Sequence, residues 1–392
     1  MKRILEGSIV AALLALVLLG CNNKVNQTGA WLVAYDSTLV PQYLDSGLDS
    51  VKITSSQVND GLATGSSAIM SLGIVPWTEA DLLMHFSAFT PVYGAGAILS
   101  ATIVMTRAPY TLDPSGNGIQ ALTFNGYTLD STWNYTTLTW DSVALIGHGG
   151  TNIVTSQTIT DSTVLIGLDT NTVRLWANAT QDTSIKNNGL LIKPAGGNGV
   201  LSVYSSFSST STHYPICQVV YLLNGTVDTS NVALDFSTSV AHTTLASVAP
   251  QGPYKIVQSG TGLRENLTFD LSRIPNYSIV NSALLTLHFD STAEAAYSYP
   301  GLVDTLIAYY LSNPTTGAVS ATGSAVALVS NNEYTFNVST IVQHMLNSKN
   351  YGFLIAEYNE LENVDSRFLY DGSAPDSLKP KLIITYTPAV KK

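Results

Sequence analysis

The stretch SALLTLHF, residues 282–289, shows the pattern that decides the fold. Apolar residues at every second position alternate with Thr286 and His288, so that one face of an extended chain is apolar and the other polar. The stretch KPKLIITY, residues 379–386, repeats this alternation. Similar segments separated by Gly, Pro and Asn turns dominate the chain, and helical periodicity is rare. The sequence therefore predicts an all-β protein built from antiparallel sandwiches.

Several segments of the first half of the chain match segments of the second half in the same order. YPICQVVY (214–221) matches KPKLIITY, and LSATIVM (99–105) matches NSALLTL (281–287). NNGLLI (187–192) likewise matches NYGFLI (350–355). The distance in sequence between a segment and its match is larger for the earlier segments than for the later ones. The first half therefore contains an extra stretch between its early and late segments. The ordered matches predict an internal duplication.

The first residues have the features of an exported lipoprotein. Lys2 and Arg3 precede an uncharged apolar run that is too short for a membrane span but suits the core of a signal peptide. The tetrapeptide LLGC that ends at Cys21 resembles the lipobox of bacterial lipoproteins, in which the chain is cut before the cysteine and the cysteine is acylated. Asn22 in the next position favours the outer membrane. A buried cysteine in an uncleaved helix is the alternative.

These features divide the chain into four parts. We predict a signal peptide over residues 1–20, a lipidated tether over residues 21–29, and two jelly-roll-like β-sandwich domains over residues 30–224 and 225–392. The lipid anchor makes the membrane an expected partner and the cell envelope the expected location.

The composition limits the functions that the chain can have. The net charge of −10 at pH 7 argues against a nucleic-acid partner. Charged residues make up only 11% of the chain, and Ser, Thr, Asn and Gly fill the polar positions, as in extracellular β-rich proteins. With Cys21 acylated, Cys217 is the one remaining cysteine, so no intramolecular disulfide is expected. We predict that Cys217 is a small buried apolar residue rather than a reactive thiol.

Both halves resemble the DNRLRE-domain family, β-sandwich jelly rolls of secreted proteins that are also classed as carbohydrate-binding modules. The matching motifs are a strand ending in Phe269, a short linker with Pro and then Ser-Ala-x-Leu (282–285), Leu-Thr-Trp (138–140), Asn-x-Gly and three apolar residues (350–355), Ser366-Arg367, and Pro-x-Leu-x-x-x-Tyr (380–386). The first half departs from the pattern with Ser205-Ser206 in place of Ser-Arg, and the second half lacks the Thr-Trp segment. The resemblance implies a jelly-roll fold and carbohydrate binding.

Motifs of nucleophilic and metal-dependent enzymes are missing from the sequence. No G-x-S-x-G elbow, H-E-x-x-H motif or cysteine pair occurs, so we expect no enzyme activity. Acidic residues cluster only in AEYNELENVD, at Glu357, Glu360, Glu362 and Asp365. We expect a solvated loop there, with a structural calcium site as the alternative and no other cofactor.

Aromatic residues are the best candidates for ligand contacts. All five Trp lie in the first half, and YTLDSTWNYTTLTW concentrates Tyr127, Trp133 and Tyr135 in one stretch. Exposed aromatic rings bind the flat C–H faces of sugars while nearby polar groups bind the hydroxyls. We predict a ligand site at these three residues, with the covering of a sheet edge as the alternative. Trp140 is expected in the core.

The sequence leaves two functions open. The first is a cell-envelope lipoprotein that binds polysaccharide or glycan through its β-sandwich modules without catalysis. The second is a structural or adhesive surface protein, a stalk or an assembly subunit, that acts by protein–protein contacts. The fold-level resemblance favours the first function.

Overall fold

The computed structural model describes residues 40–59, 61–90, 96–179, 181–247, 252–299, 305–313 and 318–388. About 50% of the described residues are in strands and 11% are in helices, and the sheets are antiparallel. The predicted all-β sandwich fold is therefore confirmed. The predicted signal peptide, Cys21 and the tether lie outside the described residues. Within the described ranges, no helix is both long enough and apolar enough to cross a membrane.

Strands form two sandwiches, and short helices connect some of them. The first two strands are β1 (Gln42–Asp45) and β2 (Ile53–Asn59). The next strands in chain order are β3 (Ile69–Val75), β4 (Thr78–His85), β5 (Ala97–Leu112), β6 (Thr123–Thr128), β7 (Val154–Ile159), β8 (Thr163–Leu168), β9 (Leu190–Gly196), β10 (Gly199–Tyr204), β11 (Ile216–Leu223), β12 (Thr226–Ala233) and β13 (Phe236–Thr243). The last strands are β14 (Tyr254–Gln258), β15 (Leu263–Phe269), β16 (Ile279–His288), β17 (Leu306–Asn313), β18 (Ala318–Val326), β19 (Leu328–Ser330), β20 (Glu333–Asn337), β21 (Phe353–Glu357), β22 (Ser366–Tyr370) and β23 (Lys381–Thr387). The helices are α1 (Trp140–Ile146), α2 (Thr170–Asn178), α3 (Ser291–Tyr297) and α4 (Ser339–Asn347).

The first sandwich consists of strands β3 to β13. One sheet has the order β12-β11-β5-β8-β7, and the other has the order β10-β3-β4-β9-β6 with β13 paired along β4. Strand β5 is 16 residues long and joins the two sheets, because its first part pairs with β11 and β8 and its last part pairs with β10. The core of this sandwich lies between the two sheets. Cys217 is fully buried in this core, and burial raises the pKa of its thiol to about 12, which confirms the predicted apolar role.

The second sandwich has a closely similar arrangement. One sheet has the order β1-β23-β16-β20-β19, and the other has the order β18-β17-β21-β15-β14-β22 with β2 paired along β15. The matched segments LSATIVM and NSALLTL lie in β5 and β16. β5 pairs antiparallel with β11, which contains most of YPICQVVY, and β16 pairs antiparallel with β23, which contains most of KPKLIITY. Segments that match in sequence therefore occupy equivalent positions in the two sandwiches.

The matched Asn-x-Gly motif makes the same contact in both sandwiches. Nδ2 of Asn187 donates to the carbonyl oxygen of Phe86 at 2.7 Å, and Nδ2 of Asn350 donates to that of Phe269 at 2.6 Å. The glycine two positions later has a φ of +92° in the first sandwich and +97° in the second, where a side chain would be strained. The motif thus encodes one shared turn before β9 and β21.

The strand pairing does not follow the predicted division between residues 224 and 225. β1 pairs with β23 and β2 pairs with β15, so the N-terminal strands complete the second sandwich. β12 and β13 follow residue 225, yet they pair with β11 and β4 of the first sandwich. The first sandwich is therefore one continuous segment that lies between β2 and β14 of the second. Phe86 and Phe269, which accept the equivalent hydrogen bonds from Asn187 and Asn350, are 183 positions apart, and Ile53 and Phe236 have the same separation. The repeat therefore gives β2 and β13 the same position and does not show to which sandwich each strand belongs.

A buried junction connects the two sandwiches. Gln258 is fully buried, and its Nε2 donates to Oγ1 of Thr78 at 3.0 Å while its Oε1 accepts from Oγ1 of Thr243 at 2.6 Å. Across the same junction, the hydroxyl of Tyr110 donates to Oδ1 of Asp365 at 2.8 Å. The apolar side chains of the junction come from both sandwiches: Val75, Trp77, Ala80, Tyr110, Leu112, Val200, Ala241, Ile256, Leu263, Val364 and Phe368.

A buried carboxyl group lies where β2 joins the second sandwich. Glu265 of β15 is opposite Gln57 of β2 and is fully buried. Burial raises its pKa to about 8, against the opposing effects of the nearby Ser55 hydroxyl and the positive charge of Lys255. Glu265 is therefore mainly protonated at neutral pH.

The first sandwich should fold as the fragment 61–247, because all its strands are contiguous in that range. The fragment 30–224 should not give a cooperative transition, because it lacks β12 and β13 and leaves the edges of β11 and β4 unpaired. Urea denaturation followed by near-ultraviolet circular dichroism measures both. Cooperative unfolding of 30–224 alone would contradict this assignment of strands.

Replacing Glu265 with Gln should reduce the pH dependence of stability. The folded-state pKa of about 8 lies above the unfolded value of 4.5, so the free energy of unfolding falls as the pH rises from the unfolded value to the folded value. The variant lacks this loss, so its stability relative to wild type should rise by at most about 1.4 kcal/mol per pH unit between about pH 5 and pH 8. Urea midpoints across this range measure the difference. Parallel pH profiles for the two proteins would contradict the assignment.

Candidate functional site

A segment between β6 and β7 covers the outer face of one sheet of the first sandwich. This covering segment, residues 129–150, contains α1, and it packs against β4, β9 and β13. The contacts form a small apolar cluster separate from the main core, made of Leu83, Leu129, Leu138, Ile146, Leu191 and Val240. The backbone N–H of Thr139 donates to Oγ of Ser142 at 2.9 Å at the start of α1, and Gly147 with a φ of +73° ends the helix. We call this covered sheet face, together with the covering segment, the aromatic face.

Phe236, the first residue of β13, is the centre of the aromatic contacts on this face. The ring of Trp133 meets it edge-on at 4.9 Å between centroids, and the rings of Tyr135 and His85 stack on it at 5.6 and 4.7 Å. Tyr135 also lies 5.4 Å from Phe207, whose side chain is 40% exposed. The structure thus brings the predicted residues Trp133 and Tyr135 together. We call this group of rings the aromatic ridge.

The three predicted aromatic residues differ in their surroundings. Trp133 is half-buried, and its indole N–H donates to the carbonyl oxygen of Asn188 at 2.9 Å, so part of its role is to hold the covering segment on the sheet. Tyr127 lies on β6 opposite Leu191, and its ring is 4.6 Å from that of His148. Tyr127 is therefore on the same face but contacts a different group from the ridge.

A cleft of about 410 Å³ lies between α1 and the sheet on this face. Its walls are formed by Asp81, Trp140, Val143, Ala144, Gly147, His148, Leu191 and Lys193. This volume falls within the range of about 300–1,000 Å³ of small-molecule sites. The expectation that Trp140 lies in the core is wrong, because α1 places its half-buried indole on the outer face of the sheet. We call this site the Trp140 cleft.

The carboxylate of Asp81 and the ammonium group of Lys193 form the polar floor of the cleft, and the carboxylate of Glu79 pairs with the same ammonium group. Nζ of Lys193 is 2.9 Å from Oδ2 of Asp81 and 3.1 Å from Oε1 of Glu79, and it lies 5.3 Å from the centre of the Trp140 ring. His242 stacks on Trp140 at 5.4 Å. Asp81 is only 1% exposed, and burial raises the pKa of its carboxyl, an effect that Lys193 opposes and Glu79 reinforces. Within the part of the chain that the structure describes, Oδ1 of Asp81 has no hydrogen-bond partner.

Sequence reasoning did not identify Asp81 or Lys193 as site residues. A signal was present, because Asp81 stands directly before the buried run Leu82 to Met84. A carboxylate next to such a run needs either solvent or a partner. Its partner Lys193 is more than a hundred residues away and meets it only when β4 pairs with β9.

The predicted acidic cluster is bound by arginine side chains. Glu357 and Asp365 are buried, and Arg367 lies 3.1 Å from Oε1 of the first and 3.9 Å from Oδ2 of the second. Glu360 accepts two hydrogen bonds from Arg264, at 2.6 and 2.7 Å. Three of the four residues are therefore parts of ion pairs instead of a solvated loop.

Glu362, the fourth residue of the cluster, is exposed. No group of three or more His, Cys, Asp or Glu side chains in the described ranges is arranged to hold a metal ion. Near Glu357 and Asp365, the positive charge that the calcium alternative would supply comes from Arg367.

Two comparisons with known proteins found no match. No protein-family model matches the chain. A search of curated proteins also finds no match. The resemblance to the DNRLRE-domain family therefore stays a prediction from the sequence motifs.

Replacing Arg367 should destabilise the protein more than replacing Arg264. Arg367 is 6% exposed, so Arg367→Met leaves buried carboxylates uncompensated, at a cost of about 3–5 kcal/mol. Arg264→Met is the matched control, because its pair with Glu360 is more exposed and should contribute about 1 kcal/mol. Urea denaturation at neutral pH measures both losses, and equal losses would contradict the structural role of Arg367.

Proposed function

We propose that the protein is a non-catalytic lipoprotein of the cell envelope that binds a polysaccharide or glycan through the aromatic face of its first sandwich. The observation that supports this proposal most is the combination of the aromatic ridge with the Trp140 cleft on one sheet face. Partly exposed rings next to polar groups are the chemistry that sugars require, because each sugar ring has apolar C–H faces and hydroxyls at its edge.

The ridge and the cleft would have different roles on a polymer. Phe207, Tyr135 and Phe236 follow one another at centroid distances of 5.4 and 5.6 Å, which suits contact with successive parts of an extended chain. The Trp140 cleft has the volume for one small unit of that chain. Tyr127, through His148, lies at the edge of the cleft.

The anchor and the location are proposed from the sequence. The LLGC motif supports acylation of Cys21, and Asn22 supports retention at the outer membrane. The segment from Cys21 leads to β1, which is an edge strand of the second sandwich. The anchor would therefore attach to the second sandwich, and the first sandwich would carry the binding face.

A structural or adhesive function is the second candidate, and the edge strands of the second sandwich favour it. β18 and β19 lie at the edges of the two sheets. Their apolar residues are partly exposed, with Leu328 77% exposed. An open edge with apolar side chains can pair with a strand of another protein. This function would not require the aromatic face.

Removing rings from the aromatic face should weaken polysaccharide binding. We expect Trp140→Ala, Trp133→Ala and Tyr135→Ala each to reduce the affinity of soluble residues 22–392 by about threefold to tenfold, because each removes an aromatic contact. Tyr358→Ala is the matched control, because Tyr358 is an exposed aromatic residue of the second sandwich. Tryptophan emission during titration with a panel of polysaccharides measures the affinity of the wild type, the Tyr variant and the control, and affinity gels measure that of the Trp variants.

Two outcomes would contradict the proposal. The first is a folded protein that binds none of the polysaccharides. The second is binding that all three substitutions on the aromatic face leave unchanged.

A further inference from the structure

We infer that the Trp140 cleft selects a neutral sugar by two neighbouring hydroxyl groups, one that donates to Asp81 and one that accepts from Lys193. This inference rests on the proposed function and specifies the class of ligand at the same site. Three features of the cleft support it: an acceptor without a partner, a donor with remaining capacity, and the sign of the local charge.

The acceptor is Oδ1 of Asp81. The side chain is almost fully buried and lines the cleft, and its other oxygen, Oδ2, is held by Lys193 at 2.9 Å. Among the described residues, Oδ1 has no hydrogen-bond partner, and it is closed to solvent in this structure, so a ligand hydroxyl reaches it only when the side chains of the cleft floor shift. A buried acceptor without a partner is unfavourable, so a ligand that donates a hydrogen bond to it gains affinity. A sugar hydroxyl is such a donor.

The donor is the ammonium group of Lys193. An ammonium group has three N–H donors, and Asp81 and Glu79 are the partners of two of them. The third is left for a ligand oxygen. Because Asp81 and Lys193 are in contact, the ligand groups that reach them must also be neighbours. Two hydroxyls on adjacent ring carbons satisfy this condition, since each hydroxyl can both donate and accept.

The charge of the floor disfavours anionic sugars. When Asp81 is ionised, its carboxylate and that of Glu79, both paired with Lys193, outweigh the single positive charge of Lys193. A uronic acid or a sulfate group placed beside them would be repelled, and its desolvation would not be compensated. The rest of the lining contains His148 and an apolar part formed by Trp140, Val143, Ala144 and Leu191, which suits the C–H groups of a neutral ring.

The test compares polyuronates with their carboxyl-reduced, neutral forms, so that the backbone of each pair is the same. For the wild type, we expect the neutral form to bind about tenfold more tightly than the polyuronate or better. Asp81→Asn keeps the volume of the side chain, but its amide oxygen faces Lys193 and an NH₂ donor replaces Oδ1. We expect this variant to lose about tenfold or more of its affinity for the neutral form, since a hydrogen bond to a buried carboxylate is lost.

The outcomes separate this inference from the proposed function. If Trp140→Ala weakens binding but Asp81→Asn does not, or if polyuronates bind as tightly as their neutral forms, the inference is overturned and the proposed function stands. If no member of any pair binds and no other polysaccharide of the panel binds, both are overturned. Urea denaturation shows whether Asp81→Asn is folded, and if it is not, the comparison of ligands on the wild type decides. Tighter binding of an amino-sugar polymer than of neutral forms would also overturn the inference.

Discussion

The antiparallel pairing of β13 with β4 is the interaction on which the rest of the structure depends. Its register runs over eight pairs, from Phe236 opposite His85 to Thr243 opposite Thr78. The pairing places Phe236 and His242 on the outer face of the sheet, where they contact the aromatic ridge and Trp140. The covering segment packs on the same surface, so the candidate site exists only when this pairing has formed. A local sheet contact and the proposed function are therefore directly linked.

The equivalent pairing in the second sandwich is made by the opposite end of the chain. β2 pairs along β15, so the second sandwich contains the N-terminal strands and encloses the first sandwich in sequence. The chain consequently crosses the junction twice, and Gln258 hydrogen-bonds to Thr78 and Thr243 of the first sandwich there. The hydrogen bonds to Thr78 and Thr243 satisfy the buried amide of Gln258. The contacts at the junction therefore add to the stability of the joined sandwiches, although the first sandwich is expected to fold on its own.

Local pattern predicted the local parts of this structure. Alternation with a period of two identified strands such as β16 and β23, and the Asn-x-Gly motif marked a turn that both sandwiches share. The sandwich in which β2 and β13 lie was not predictable, because both strands have the same repeat position and their partners are chosen by long-range packing. The Trp140 cleft was missed for the same reason, since it needs α1 and the contact between Asp81 and Lys193. The arginines beside the acidic cluster were visible in sequence, but their pairing with it was not.

The most direct test of the account is hydrogen exchange of the full soluble chain, with and without the neutral polysaccharide that binds it most tightly. Exchange slows where a ligand covers or orders the backbone. The account predicts protection in the covering segment, residues 129–150, and in β9 and β13, with little change in the second sandwich. Protection confined to the second sandwich, or a saturating ligand that leaves residues 129–150 unprotected, would contradict the claim that the aromatic face is the binding surface.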